Sequence, residues 1–273
     1  MTHTRNDTRH RKSIRSVDEF LARRASRGPR EPRRAGSEFT SHESADLDIK
    51  FLLALVRQQH RLARTVCVPQ FVACGYSHTT VRHARHACAP DAHMRVRANV
   101  IVSDLRTTRP TLWLPPDLPA QVAECRKRFV VCSLGLYDHR DFATGHANAL
   151  VFDVRRRLIE RFEPLGDRHM PWLDRWLTRR LETAFPGWRY FGTHLSAPEG
   201  TGVQTRADGY DGLCVTFSLL YVLLRLLNPE KTAMEINDHL VSGYTPRELR
   251  SVVLRLNRHA ADVLRAHRNG SLG

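Results

Sequence analysis

The chain has 273 residues, which is enough for one large domain or two small ones with a core able to fold on its own. Its 43 Lys and Arg outnumber its 28 Asp and Glu, giving a formal net charge of +15. No apolar run is long enough for a transmembrane helix, and the Arg-rich start has neither an apolar stretch nor the composition of a transit peptide. We therefore expect an intracellular protein without a membrane partner.

Residues 1–45 are predicted to form a basic, disordered arm. Eleven Lys or Arg and four Asp or Glu lie in residues 1–36, so about half of the excess charge is there. The segment is rich in Arg, Ser and Pro and lacks sustained hydrophobic periodicity. Such an arm can attract DNA or another polyanion, and it can equally be a solvated tail. Both interpretations stay open.

Residues 46–120 are predicted to form a helical and irregular region that could recognise substrate. Apolar spacing favours an amphipathic helix over 46–64, and an apolar run predicts a strand over 99–103. Residues 110–119 are interrupted by prolines and are predicted to be a loop.

The chain has six cysteines, at positions 67, 74, 88, 125, 132 and 214. Because the chain is long and no export signal is expected, we predict free thiols rather than disulfides. The Cys and His cluster between residues 65 and 98 lacks the usual zinc-knuckle spacing, so we expect no metal and no cofactor.

Residues 121–273 are predicted to be a catalytic domain of α+β class, with a small, mostly antiparallel sheet flanked by helices. Two apolar segments joined by a short charged turn predict an antiparallel hairpin. The predicted strands cover 129–137, 146–154, 158–162 and 188–194. The predicted helices cover 170–185, 214–227, 229–240 and 245–267, and a long loop covers 195–212.

Cys214 opens the most apolar stretch of the chain and follows a turn rich in Gly and Asp. A thiol in the first turn of a helix lies beside backbone N–H groups that have no helical partner and beside the positive end of the helix dipole. Both favour the thiolate, which is the attacking form. Cys214 is therefore the candidate nucleophile, and the central helix is predicted to begin there.

Acyl transfer by a thiol also needs a base, a group that orients the base, and donors for the oxyanion. His146, at the start of a predicted strand, is the candidate base. Glu163 lies 17 residues further on, after the returning strand, so the hairpin can bring it beside His146. Asp153 is the competing acid, but it is expected to pair with the Arg155–Arg157 cluster. Gln204 is the candidate oxyanion donor.

These residues and their order resemble clan CE cysteine peptidases, the adenovirus protease and the SUMO or ubiquitin-like-protein proteases. The resemblance covers roughly residues 129–230 and lies in His146, the charged turn, and Phe162-Glu163-Pro164-Leu165-Gly166. It is closest to divergent members from large DNA viruses, in the Gly-x-Cys start at 212–214 and the segments 218–221 and 225–229. The chain departs from the cellular and adenoviral pattern at Ala147, at Val215 and in the long gap from Gln204 to Cys214.

The resemblance implies a cysteine endopeptidase or isopeptidase that cleaves after small residues such as Gly. Its substrates would be ubiquitin-like proteins or viral precursor proteins, and some relatives of the family use DNA as a cofactor. Two alternatives stay open. The same triad could serve an acetyltransferase, or a degenerate protease fold could act without catalysis as a basic polyanion-binding protein.

Overall fold

The computed structural model describes residues 14–17, 20–21, 60–68, 100–103, 105, 110–115, 117–138, 141–166, 169–196, 202–207 and 213–268. Within these ranges seven strands form one sheet in the order β3-β2-β4-β5-β6-β7, with β1 beside β4. The strands are β1 (Val66–Cys67), β2 (Val100–Ser103), β3 (Thr111–Trp113), β4 (Phe129–Asp138), β5 (Asp141–Asp153), β6 (Leu158–Phe162) and β7 (Arg189–Phe191). The helices are α1 (His60–Ala63), α2 (Leu118–Glu124), α3 (Pro171–Ala184), α4 (Thr193–Ser196), α5 (Val203–Arg206), α6 (Cys214–Leu227), α7 (Ala233–Ser242) and α8 (Pro246–Arg268).

The centre of the sheet is an antiparallel meander of β4, β5 and β6, as the hairpin pattern predicts. The turn between β5 and β6 is tight, and Arg157 adopts a left-handed backbone there with φ of 50°. His146 lies within β5 and not at its start as predicted, because the strand begins at Asp141. The hairpin places this part of β5 near the end of β6, which Glu163 directly follows.

Strand residues alternate between two apolar cores, one on each face of the sheet. Val131 and Val151 pack in the core under α6, α7 and α8, whereas Cys132 and Leu150 pack in the core under α2 and α3. The sheet therefore lies between two helical layers, and the predicted α+β class is confirmed.

Helix α6 is mostly apolar, is buried on all sides and crosses the sheet inside the first core. A bidentate ion pair fixes its position, since the Arg225 guanidinium donates to both carboxylate oxygens of Glu160 on β6 at 2.8 and 2.7 Å. Tyr221 also donates to Glu160. Because all three side chains are buried, the helix has little freedom to slide, and its first residue is held beside Ala147 on β5.

The sheet is more mixed than predicted, because β1–β4, β2–β4 and β6–β7 are parallel pairs. Parallel neighbours need a crossover, which α3 supplies between β6 and β7. The proline-rich loop predicted over 110–119 is wrong in part, since it contains β3. Its prolines flank the strand, and β3 is an edge strand, where proline is tolerated. The strand predicted over 188–194 ends at Phe191, and α4 follows.

The prediction of free thiols is wrong for two cysteines, because Cys67 and Cys125 form a disulfide. The pairing of β1 with the start of β4 brings these residues together across 58 positions of sequence, which local spacing does not reveal. Cys132 and Cys214 are free. Cys74, Cys88, the histidines between them, most of the arm and the turn before Leu213 lie outside the described residues.

The predicted domain boundaries stay predictions, although β1, β2 and β3 share a sheet with β4. Among the described helices, none is both long and apolar enough to cross a membrane.

Candidate active site

Cys214 is the first residue of α6, and its side chain is 8% exposed. The N-cap is Leu213, whose side chain cannot accept a hydrogen bond, so it leaves the first-turn N–H groups of the helix to other acceptors. Backbone groups of Ala147 and Val215 hydrogen-bond the sulfur. The start of α6 therefore offers dipoles that favour negative charge on sulfur or on a nearby oxygen.

His146 lies on β5, next to the residue whose backbone contacts the cysteine. Its Nε2 is 2.5 Å from Oε1 of Glu163, and its ring also hydrogen-bonds the Cys214 side chain. Since Nε2 is held by the carboxylate, Nδ1 is the nitrogen left for the thiol. The structure thus brings Cys214, His146 and Glu163 together in a chain of hydrogen bonds, in the order that a nucleophile, a base and an orienting acid require.

Glu163 directly follows β6 and is 2% exposed, so its carboxylate is buried and does not lie on the surface. Its Oε1 accepts from the backbone N–H of Leu165 at 3.0 Å as well as contacting His146. Its Oε2 accepts from Asn148 and from Arg161, each at 2.9 Å. Every bond is made by a donor that prefers a carboxylate in its ionised form.

The positive charge of Arg161 is shared between Glu163 and a second buried carboxylate, that of Asp174. Arg161 also donates to Asp174 at 2.9 Å and to the side-chain oxygen of Asn148 at 2.7 Å. Asp174, in the first turn of α3, further accepts from the hydroxyl of Tyr190 at 2.7 Å. Arg161 is 1% exposed, and its planar guanidinium therefore locks the Glu163 end of β6 and the neighbouring part of β5 to α3.

The electrostatics favour a thiolate and an imidazolium. Burial lowers the pKa of His146, but the charge of Glu163 and the hydrogen bonds to Cys214 and Glu163 outweigh it and raise the pKa to about 10. Burial raises the pKa of Cys214, but the hydrogen bond and charge of His146 outweigh it and hold the pKa below its ordinary value. Burial also acts against the ionised form of Glu163, yet His146 and Arg161 keep its pKa well below the usual range.

A comparison of Cys214 with the other free cysteine, Cys132, shows how the neighbours of a buried thiol change its pKa. Cys132 is also buried, on the opposite face of the sheet, and burial raises the pKa of its thiol. The two thiols differ in their neighbours, because His146 and the start of α6 adjoin Cys214. A thiol whose pKa is lowered by a neighbouring cation and by backbone donors has the setting of a reactive cysteine, whereas a thiol buried among apolar side chains is typically inert.

His169 adds a second imidazole to the site. Its ring packs edge-on to that of His146 at 5.0 Å, and its Nδ1 is 3.4 Å from Oε2 of Glu163. Ligand atoms of His146, Glu163 and His169 lie within 4.8 Å of one another, as a metal site would require. However, the Arg161 guanidinium already occupies Glu163, so a cation here would have to compete with it.

Gln204 is buried in the short helix α5, which packs on the turn after Glu163. Its backbone N–H donates to the carbonyl of Pro164 at 3.0 Å. The helix can approach the turn this closely because its N-cap residue is Gly202. A Cβ at this position would lie 2.0 Å from the carbonyl carbon of Leu165 and 2.3 Å from the backbone nitrogen of Gly166. The turn that carries the acid therefore also seats Gln204. The role of its side chain as oxyanion donor stays a prediction.

Asp153, the competing acid, is at the far end of β5. Its carboxylate pairs with Arg128 at 3.3 Å and accepts from the backbone N–H of Arg156 at 3.2 Å. The Arg156 Nε also lies 3.8 Å from Oδ2 of Asp153, which confirms the predicted pairing with the Arg155–Arg157 cluster at Arg156. The structure brings Glu163 rather than Asp153 to His146.

Four residues of the site were not predicted from sequence: Asn148, Arg161, His169 and Asp174. Asn148 and Arg161 could have been noticed, since each is a polar residue inside a predicted buried strand, where a polar group needs a partner. His169 and Asp174 carry no such local signal, because their contacts depend on how α3 packs on the sheet.

No protein-family model and no curated protein matches this chain. Solved structures do show distant similarity. The Chlamydia trachomatis effector protein Cdu1 bound to ubiquitin is 12% identical, with a TM-score of 0.42 over 81% of this chain and 92% of that chain. Two structures of ChlaDub1 from the same organism are 12% and 8% identical, with TM-scores of 0.41 and 0.43. Each covers 86% of this chain and 96% of that chain.

Proposed function

We propose that this protein is a thiol-dependent cysteine peptidase. One observation carries the proposal, the hydrogen-bonded chain from Glu163 through His146 to Cys214 at the start of a buried helix. Cys214 is the nucleophile, His146 is the general base and acid, and Glu163 orients the imidazole and stabilises its charged form.

The reaction begins from the ion pair. The Cys214 thiolate attacks the carbonyl carbon of the scissile bond, and the carbonyl π electrons move to oxygen. When the tetrahedral intermediate collapses, the bond to nitrogen breaks and the His146 imidazolium gives its proton to the leaving amine. Water then attacks the acyl-thioester, with His146 accepting its proton, and the thiolate is released.

The oxyanion is stabilised by donors on both sides of the cysteine. The first-turn N–H groups of α6 are positioned for this role because Leu213 provides no side-chain cap. The Gln204 side-chain amide supplies a further donor from α5. Loss of one such donor typically lowers kcat by about 10²–10³-fold.

The substrate is a ubiquitin-like protein or a viral precursor cleaved after a small residue. The motif resemblance around His146 and Glu163 suggests this class, and the burial of Cys214 agrees with it. A nearly buried sulfur is most accessible to an acyl residue without a bulky side chain, such as glycine.

A ubiquitin or SUMO molecule whose C-terminal glycine is replaced by an amide-linked propargylamine tests the mechanism and the substrate class together, because the alkyne then lies where the scissile carbonyl would be. The wild-type protein should gain the mass of one probe, with the adduct on Cys214. The matched control is Cys132→Ala, which removes the other free thiol and should label as the wild type does. Cys214→Ala and His146→Ala should not label.

Equal labelling of Cys214→Ala and the wild type would exclude Cys214 as the nucleophile. Incubation with acetyl-coenzyme A separates the acetyltransferase alternative, because an acetyl adduct on Cys214 without probe labelling would replace the peptidase proposal.

A further inference from the structure

Ala147, the residue after His146, lies where β5 has a strand neighbour on one side only. On that side it pairs with Gly135 of β4. On the other side, the pairing of β5 with β6 ends at Ala149 opposite Phe162, before Ala147 is reached. In an antiparallel pair, a residue presents its N–H and its C=O to the same neighbour. The backbone groups of Ala147 that face this side therefore need partners from an element other than β6.

Helix α6 supplies these partners. The backbone of Ala147 hydrogen-bonds the sulfur of Cys214, and since a thiolate can only accept, the N–H of Ala147 is the donor. The Ser218 hydroxyl donates to the carbonyl oxygen of Ala147 at 3.3 Å. Two side chains of α6 thus take both polar groups of one strand residue, and the helix replaces the missing strand at this position.

The spacing of the two side chains suits this contact. Cys214 and Ser218 are four residues apart, so they lie on the same face of α6 and about 6 Å apart along its axis. A serine inside a helix commonly returns its hydroxyl proton to the carbonyl four residues earlier. A hydroxyl has one proton, and Ser218, which is buried, gives it to β5. The side chain therefore acts between two elements and not within its own helix.

The other polar contacts of α6 hold the helix without holding this part of β5. The Arg225 contact with Glu160 is about 16 Å along the helix from Cys214, at about 1.5 Å per residue. Thr216 donates to Asn257 of α8 at 3.1 Å, on another side of the helix. Ser218, one turn from the sulfur, is the hydroxyl that reaches the strand carrying His146.

We propose that Ser218 is a positioning residue for the nucleophile. By holding the carbonyl of Ala147, it keeps the N–H of the same residue directed at the sulfur of Cys214 and keeps the adjacent His146 beside the thiol. Ser218 acts through Ala147 and does not contact the reacting atoms. The proposal rests on the proposed role of Cys214 as the nucleophile.

The test is the pH dependence of Cys214 alkylation by iodoacetamide in the full chain, followed by intact mass. Ser218→Ala is compared with its parent in a background in which Cys132→Ala removes the other free thiol. At pH 6 the alkylation rate should fall by about 3- to 10-fold, the factor typical for the loss of one neutral hydrogen bond. The whole curve should also move to higher pH, because the thiolate loses part of its stabilisation.

The matched control is Thr216→Val, which removes another buried hydroxyl from the same helix and keeps the shape of the side chain. Both variants lose one hydrogen bond of α6, so both should unfold at a lower guanidinium chloride concentration. Only S218A should move the alkylation curve. A curve for S218A that superimposes on that of the parent would overturn the proposal. An equal displacement in T216V would also overturn it, because any loosening of α6 would then suffice.

This comparison does not use the ubiquitin-like probe, so it separates the role of Ser218 from the peptidase reaction. A displaced curve in S218A together with a wild-type protein that fails to label with the probe would support the positioning role and count against the peptidase proposal alone.

Discussion

Glu163 shows how single residues set the chemistry of the site. The carboxylate is buried, yet four side chains and one backbone N–H surround it, and its two oxygens have separate tasks. Oε1 contacts the imidazole of His146, and Oε2 is held by Asn148 and Arg161. Because Oε2 is anchored on rigid strands, Oε1 is aimed at His146 before any substrate arrives.

Replacing Glu163 with Gln should lower kcat/KM by about 10²–10⁴-fold, because the amide neither stabilises the imidazolium nor fixes the orientation of the ring. Steady-state cleavage of a fluorogenic ubiquitin-like substrate provides the measurement. Asp153→Asn is the matched control, since it changes another buried carboxylate on the same pair of strands. Activity per folded molecule should persist in D153N, and an equal loss in both variants would assign Glu163 a structural role only.

Helix α6 carries Cys214 and helix α5 carries Gln204, and the two helices are held in place by different contacts. The Arg225 to Glu160 ion pair holds α6 on β6, and the turn from Glu163 to Gly166 seats α5. The turn is the more sensitive of the two contacts, because Gly202 touches backbone atoms that cannot move without moving Glu163.

Gly202→Ala is expected to push α5 away from this turn, since its Cβ would overlap the backbone of Leu165 and Gly166. We expect a loss of about 1–3 kcal/mol in the free energy of unfolding, with a fall in kcat/KM measured on the remaining folded protein. Thr205→Ala, which truncates an exposed side chain of the same helix, should leave both quantities near the wild-type values. Wild-type activity in G202A would show that the position of α5 against the 163–166 turn does not matter for catalysis.

For the whole molecule, the Cys67–Cys125 disulfide closes a long loop far from Cys214. In the chain-entropy treatment, a loop of this length contributes about 4 kcal/mol to the free energy of unfolding. The double variant C67S/C125S should therefore unfold at lower guanidinium chloride concentration than the oxidised wild type. Probe labelling of its folded form should be retained. Identical unfolding of the two proteins under oxidising conditions would show that the bridge does not stabilise the fold.

The parts of the fold that local sequence determines could be predicted. Alternating apolar residues and the charged turn predict the hairpin, which by itself brings His146 to Glu163. The start of α6 at Cys214 and the Thr245 to Glu248 capping box of α8 are also local features. The disulfide, the parallel pairing of β2 with β4 and the contacts of Asp174 depend on residues far apart in sequence. Single-sequence periodicity does not contain them.

The central claim is that His146 makes Cys214 a reactive thiolate. The most direct measurement is the rate of iodoacetamide alkylation of Cys214 as a function of pH, followed by intact mass in C132A and C132A/H146A. Because the pKa of Cys214 is held below its ordinary value, the rate in C132A should stay high below about pH 8.5 and fall only under more acidic conditions. Removal of the imidazole should move the curve to higher pH, since the charge and hydrogen bond of His146 are then lost and only the backbone donors oppose the effect of burial. Superimposable curves for the two variants would contradict the ion pair and, with it, the proposed mechanism.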